Sequence, residues 1–205
     1  MLRVKTIFLI AAALVACASS SQDTAQENEP TDPDVVVDPS HGGCGTERWS
    51  LKVGTDTAAT SIAVSTPQTT TIAALRALAA PASLPTSARI APTETTAFRL
   101  VNVTLNIIKS ESDSDYHLVL ADAAGNTMIA EVPSPACVTG SPWSALVAKA
   151  RAVADANKGM RPLTVTLQGV GFFDFIHGQT GVASNGIEIH PVLGLCVGKD
   201  CVIAP

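Results

Sequence analysis

Acidic and imidazole side chains gather at three places in this 205-residue chain. Glu111, Asp113, Asp115 and His117 fall within seven residues, Asp174 and His177 precede a polar run holding Gln179 and Asn185, and Glu188 lies two residues before His190. Carboxylate oxygens suit calcium or magnesium, and added imidazole nitrogens suit zinc. Asp113, Asp115, Asp174 and His177 are therefore the candidate metal ligands. His117, Gln179 and Asn185 extend them into a wider candidate ligand-binding set. The same residues also have a structural reading: Asp113 and Asp115 are common turn residues, and His117, next to Tyr116, could be a hydrogen-bonded strand residue. Glu188 and His190 would share one strand face and could do acid–base work. No nucleophile accompanies them, since Ser184 lacks a GxSxG context, so structural pairing is expected. No catalytic residue is assigned, the chain is not expected to be an enzyme, and no cofactor is called for beyond the divalent metal alternative.

The polar loop Gly178-Gln179-Thr180-Gly181 with Ser184-Asn185-Gly186 lacks the GxxxxGK pattern and the following helix of a phosphate cradle. It fits a recognition loop. Phe172, Phe173 and Phe175 precede it and could stack on a sugar or base, although strand alternation buries at least one.

The elements that must position these residues are mostly strands. Residues 96–109 alternate, with Ala97, Arg99, Val101, Val103, Leu105 and Ile107 on one face and Phe98, Leu100, Asn102, Thr104 and Asn106 on the other. Residues 115–120 and 127–132 read as two more strands around a turn at Gly125. Ser141 and Pro142 open a helix whose buried stripe is Trp143, Leu146, Val147, Ala150, Val153 and Ala154. Asn157-Lys158-Gly159 closes it. Residues 163–175, with bends at Gly169 and Gly171, and 187–197 complete the set. Three strands, a helix and two strands is the order of the OB-fold, a five-stranded Greek-key barrel, with a β-sandwich as the rival. In such a barrel the first-to-second and fourth-to-fifth strand loops flank one binding face, which would bring residues 111–117 and 174–186 together. Upstream, residues 49–53 alternate like a short strand, and 71–79 could form a short helix stopped by Pro81. Residues 44–95 thus form a cover on the 96–205 barrel.

Aromatic residues make up only 4% of a chain that is 46% hydrophobic, so the core must be built from Ala, Val, Leu and Ile. Cys44, Cys137, Cys196 and Cys201 form an even set. The five-residue spacing of Cys196 and Cys201 suits a closed turn, leaving Cys44 for Cys137; a thiolate metal site is the alternative.

At the N-terminus Arg3 and Lys5 precede an apolar run, residues 7–15, too short to cross a bilayer. The run ends in Leu14-Val15-Ala16-Cys17, which resembles the lipobox of bacterial lipoprotein precursors. That resemblance implies cleavage after residue 16 and a diacylglycerol on Cys17, with membrane anchoring through more than one acyl chain. An ordinary secretory signal with an incidental Cys is the alternative. Ala18 in place of Asp implies the outer membrane of the cell envelope if the host is Gram-negative. Residues 17–43, with ten Ser, Asp or Glu residues after the Cys among three prolines, read as an acidic, disordered linker. Loss of Arg3 and Lys5 leaves 11 basic residues against 18 acidic ones, a balance of −7. That sign argues against nucleic acid as a partner.

The runs Asp113-Ser-Asp115-Tyr-His117-Leu-Val-Leu, Asn126-Thr-Met-Ile-Ala-Glu131-Val-Pro, Gly169-Val-Gly-Phe-Phe-Asp174-Phe-Ile-His177-Gly and Glu188-Ile-His190-Pro resemble a family of uncharacterised bacterial exported proteins. The resemblance covers roughly residues 46–195. It implies a barrel similar to that of staphylococcal nuclease and no known activity. Residues 109–132 hold acids but no Arg, so the nuclease constellation is not evident. The expected function is that of a membrane-anchored envelope lipoprotein carrying a ligand- or protein-binding module, with a glycan or an envelope protein as partner. A metal-dependent, phosphodiesterase-like hydrolase and a purely structural protein are the alternatives.

Overall fold

The computed structural model describes residues 37–38 and 43–203. The signal segment, Cys17 and most of the 17–43 linker lie outside the described residues. Inside the 17–43 stretch, Val37–Asp38 (β1) pairs antiparallel with Cys44–Gly45 (β2).

The protein is mainly β, built on a closed five-stranded barrel with few helices. Its strands are Ala97–Ser110 (β4), Tyr116–Ala121 (β5), Thr127–Val132 (β6), Leu163–Phe173 (β7) and Ile187–Val197 (β8). They run β4-β5-β6-β8-β7, and a β4–β7 pairing closes the circuit. The β6–β8 contact is parallel and the other four are antiparallel. Gln68–Thr70 (β3) adds a parallel strand on the edge of β4.

Alternation along the strands separates two environments. Tyr116, Leu118, Leu120, Met128, Ala130, Val132, Ile187 and Ile189 point into the barrel core. Their neighbours His117, Glu131, Glu188 and His190 therefore point outward. The long first strand departs from the expected period-two pattern. It carries Phe98, Leu100, Val103, Leu105 and Ile108 into the core, so its inward face switches twice. Pairing with β7 shifts register between Leu100 and Val103, and pairing with β5 shifts between Leu105 and Ile107. Each extra residue reverses which side faces in, because the side-chain period is two. At the first shift Asn102 adopts φ 54°, a conformation Asn tolerates better than most residues, and Val101 is left exposed.

Ser144–Asn157 (α3) lies between β6 and β7 in sequence and packs on β8 and β6. Val147, Ala150 and Ala154 are its buried residues, with Leu146 and Val153 partly buried beside them. The helix begins two residues later than Ser141-Pro142 suggests. The Ser141 hydroxyl accepts from Trp143 N at 3.1 Å, so it caps a turn before the helix and not the helix itself.

The segment before the barrel packs on its outer wall. Residues 49–53, expected as a strand, form a helical turn, Trp49–Val53 (α1). Five residues cannot separate the two periodicities, and Gly54 at φ 72° stops the turn with its N–H on Ser50 O. A Cβ on Gly54 would meet the Trp143 ring at 2.1 Å, so only glycine fits between α1 and that indole. Ile72–Arg76 (α2) starts at Thr71, whose hydroxyl accepts from Ala74 N. Val53, Ala59, Ile62, Val138, Trp143, Val147, Val170 and Leu193 form a second core between this segment, α3 and the barrel. The bridges Cys44–Cys137 and Cys196–Cys201 pair the cysteines as their spacing suggests, with Cα separations of 5.7 and 6.0 Å. The first ties the cover segment to the loop before α3.

Candidate functional site

On the outer face of β5, β6 and β8, and under α1, lies a buried cluster of ionisable side chains. His117 on β5 stands directly opposite Glu131 on β6. Glu188 and His190 come from β8, and Asp113 and Asp115 from the β4–β5 loop. Lys52 of α1 reaches in from above and donates to Asp174 at 2.6 Å. Three of the four groups on the strand faces are at least nine-tenths buried, as are both loop carboxylates.

Each imidazole is held between acceptors. His117 Nε2 donates to Thr180 O at 2.9 Å, while its Nδ1 faces Glu131 at 3.3 Å and Glu111 at 3.5 Å. A carbonyl only accepts, so Nε2 carries a proton, and Nδ1 is turned toward the two carboxylates. Burial alone would lower the His117 pKa, but its bonds to Glu131 and Thr180 outweigh that and raise it. His190 Nδ1 stands 3.0 Å from Glu131 and 3.2 Å from Glu188. The surrounding carboxylates likewise overcome burial and hold His190 above the ordinary histidine range.

Asp115 is tied on one side only. Its Oδ1 accepts from Ser134 N at 3.1 Å. Its Oδ2 and His190 Nε2 face one another at 3.5 Å, and neither has a hydrogen-bond partner among the described residues. Asp115, Glu131 and His190 each offer a ligand atom, and these atoms lie within 4.8 Å of one another.

The remaining charges show the same imbalance. Glu131 is held well below the ordinary glutamate range, because the bonds from His117 and His190 outweigh its burial. Burial, reinforced by the Asp115 and Glu131 charges, pushes Asp113 up to about 7. Burial and the Glu131 and Asp174 charges likewise push Glu188 up to about 7. Burial would lower Lys52, but Asp174, Glu131 and Glu188 raise it. The cluster holds more carboxylates than cations to neutralise them.

The seven residues expected to bind a ligand separate into three groups. Asp113, Asp115 and His117 belong to the cluster. Asp174 sits at its rim, occupied by Lys52 and by Phe175 N. The other three organise their own loop. The Gln179 amide donates to Phe175 O, and its nitrogen lies 2.7 Å from His177 Nε2. Asn185 donates to Leu75 O and Leu78 O, fastening the loop to α2. Of the four metal candidates, only Asp115 is in the set close enough to share an ion. Sequence reasoning passed over Glu131 and Lys52 and assigned Glu188 and His190 to structural pairing. Glu131 was detectable as the one charge in an otherwise apolar strand. Lys52 was not, because its segment was expected to be a strand. Of the three phenylalanines, Phe172 and Phe173 are buried and Phe175 is 42% exposed.

No protein-family model, curated protein or solved structure matches this chain.

Proposed function

We propose that the chain is an exported bacterial lipoprotein, anchored to the cell envelope through Cys17, whose OB-like barrel binds a cationic ligand. The carrying observation is the buried, acid-rich cluster on the outer face of β5, β6 and β8. In an OB-fold, the face of the second and third strands, with the first-to-second and fourth-to-fifth loops, is where ligands sit. Here those strands are β5 and β6, and the loops contribute Glu111, Asp113 and Asp115, and Asp174 and Thr180. The circuit first-second-third-fifth-fourth, with α3 between the third and fourth strands, supports the OB-like assignment. Oligonucleotides are disfavoured because carboxylates in this position repel phosphate.

The anchor rests on Leu14-Val15-Ala16-Cys17 and is supported by two disulfides, which belong to oxidising compartments. An outer-membrane location follows in a Gram-negative host. Among the described residues no helix is long and apolar enough to cross a membrane. The exposed pair Phe175 and Ile176, 42% and 56% accessible at the edge of the site, is the surface offered to a glycan or envelope protein. A hydrolase using the same residues is the second reading. It is weaker because a substrate must reach the reacting atoms, and Asp115 and His190 are sealed beneath the cover.

Two measurements test this. Growth with a labelled palmitate analogue should mark the wild-type chain and sediment it with membranes, while Cys17→Ser stays unlabelled and is released into the soluble fraction. A Cys17→Ser protein that remains membrane-bound to the wild-type extent overturns the anchor. Equilibrium dialysis of the detergent-solubilised protein against zinc, calcium, magnesium and putrescine should show binding of at least one. Binding of none overturns the cation-binding reading.

A further inference from the structure

We propose that Asp115, Glu131 and His190 form a binding site for one divalent transition ion of the zinc class. This rests on the cation-binding reading above and names its ligand.

The strongest observation is a pair of orphaned atoms. Asp115 Oδ2 and His190 Nε2 belong to side chains with no exposure, face each other at 3.5 Å as an ion pair that does not close into a hydrogen bond, and have no other partner among the described residues. A native fold rarely leaves two such groups buried and unsatisfied without a reason. Two ligands on one tetrahedral zinc, each about 2.0–2.1 Å from the metal, stand roughly 3.3 Å apart. The orphaned pair already has nearly that separation, and the Glu131 carboxylate completes a set of three within 4.8 Å.

The supporting groups are also in place. Ser134 N holds the other Asp115 oxygen at 3.1 Å. Glu131 Oε2 and Glu188 Oε1 lie 3.0 and 3.2 Å from His190 Nδ1, so that nitrogen keeps its proton and Nε2 is the atom that would turn to the ion, giving up its own proton on binding. This is the carboxylate–histidine–metal arrangement that fixes ring orientation and raises ligand basicity. His117 Nδ1 steadies Glu131 through Oε1 at 3.3 Å. His117 itself is outside the set close enough to share the ion, and its Nε2 is committed to Thr180 O.

The donor set chooses the ion class. Calcium takes about six to eight oxygens, and magnesium keeps most of its water. One imidazole with two carboxylates is a small, mixed nitrogen–oxygen set, which suits zinc and leaves a fourth position open. The ion also supplies the positive charge that the surplus carboxylates lack. Glu131 gives it a way in: its side chain keeps 12% exposure, whereas Asp115 and His190 keep none.

The test uses the full-length lipoprotein in detergent, stripped with a chelator and titrated with zinc while bound metal is measured by elemental analysis and calorimetry. The expected result is about one zinc per chain, lost in Asp115→Asn and His190→Gln. Glu188→Gln should weaken binding roughly 10–100-fold, as loss of an orienting partner does. His177→Gln should bind as wild type does. Should the buried variants fail to fold, Glu131→Gln at the rim replaces them, and a zinc-dependent rise in the wild-type melting temperature needs no variant. A wild-type chain that binds no zinc, or Asp115→Asn with full stoichiometry in a folded protein, overturns the site. Calcium or putrescine binding without zinc overturns the ion class and leaves the cation-binding reading standing; no cation binding at all removes both.

Discussion

His190 meets carboxylates at both ring nitrogens, and the cluster around it makes the stability of the ion-free protein depend on pH. Asp113 and Glu188 ionise near 7 in the folded chain, against ordinary values of 3.8 and 4.5. The folded state therefore keeps protons that the unfolded state has lost. Their contribution is fully present below about pH 4 and is lost as pH rises through about 7. His117 and His190, both raised from 6.5, act in the same direction as pH rises through their folded values. Glu131 opposes them: its folded value lies below 4.5, so its contribution is present above that pH and lost as pH falls. Lys52 and Asp174 face Glu188 from α1 and from the end of β7, and the two imidazoles face Glu131. Urea unfolding in the presence of a chelator should thus show greatest stability in mildly acid solution, with a decline from about pH 5 to pH 8. A flat or rising profile over that range would contradict the reading.

Among the elements, the 174–186 loop decides how tightly the cluster is closed. It is fastened by Thr180 O on His117, by Asn185 on α2, and by close contact of Gly181 with β5. Gly181 has φ 86°, and a Cβ there would lie 2.5 Å from Val119 Cγ1. Gly181→Ala combines left-handed strain with overpacking, each worth about 1–3 kcal/mol. The variant should be destabilised by that order, and its amide exchange should accelerate across residues 174–186 while the β7–β8 ladder stays protected. Uniform acceleration would mean the loop is not an independent closure. The long first strand carries a different lesson. Alternation identified it as a strand, yet one register shift moved Val103 and Leu105 onto the face that strict alternation points outward, and a second returned Ile108 to the face of Phe98 and Leu100. Bulges answer to the curvature of a closed barrel, which no local window contains.

For the molecule as a whole, the cover segment and barrel act as one unit because covalent and apolar ties cross between them. Cys44–Cys137 spans 93 residues and Cys196–Cys201 only 5. Loop-closure entropy gives about 4–5 kcal/mol for the first and about 2 kcal/mol for the second. Cys44→Ser with Cys137→Ser should therefore lower the melting temperature more than Cys196→Ser with Cys201→Ser. It should also loosen α1, and with it Lys52, from the site. Calorimetry of the two double variants checks the order, and a reversed order would show that the long bridge does not hold the cover.

Much of the barrel was legible along the chain. The strands at 116–121, 127–132 and 187–197 follow from short apolar runs bounded by turns, and the cysteine pairing follows from spacing and an even count. These are local signals, carried by periodicity and by chain length between partners. The grouping of Asp115, Glu131 and His190 was not legible. Those residues come from a loop and from two strands that pair in parallel across 59 residues, as the Ile129–Glu188 and Ala130–Ile189 registers show. Nor could the sequence reveal that residues 49–53 coil and deliver Lys52 to Asp174. The charged cluster exists because the closed barrel brings its third and fifth strands side by side and the cover removes water from above them. Residue types and spacing determined which elements form and which side chains could ligate; the tertiary structure alone decided which of those side chains meet, because burial and pairing between distant strands are properties of the closed fold.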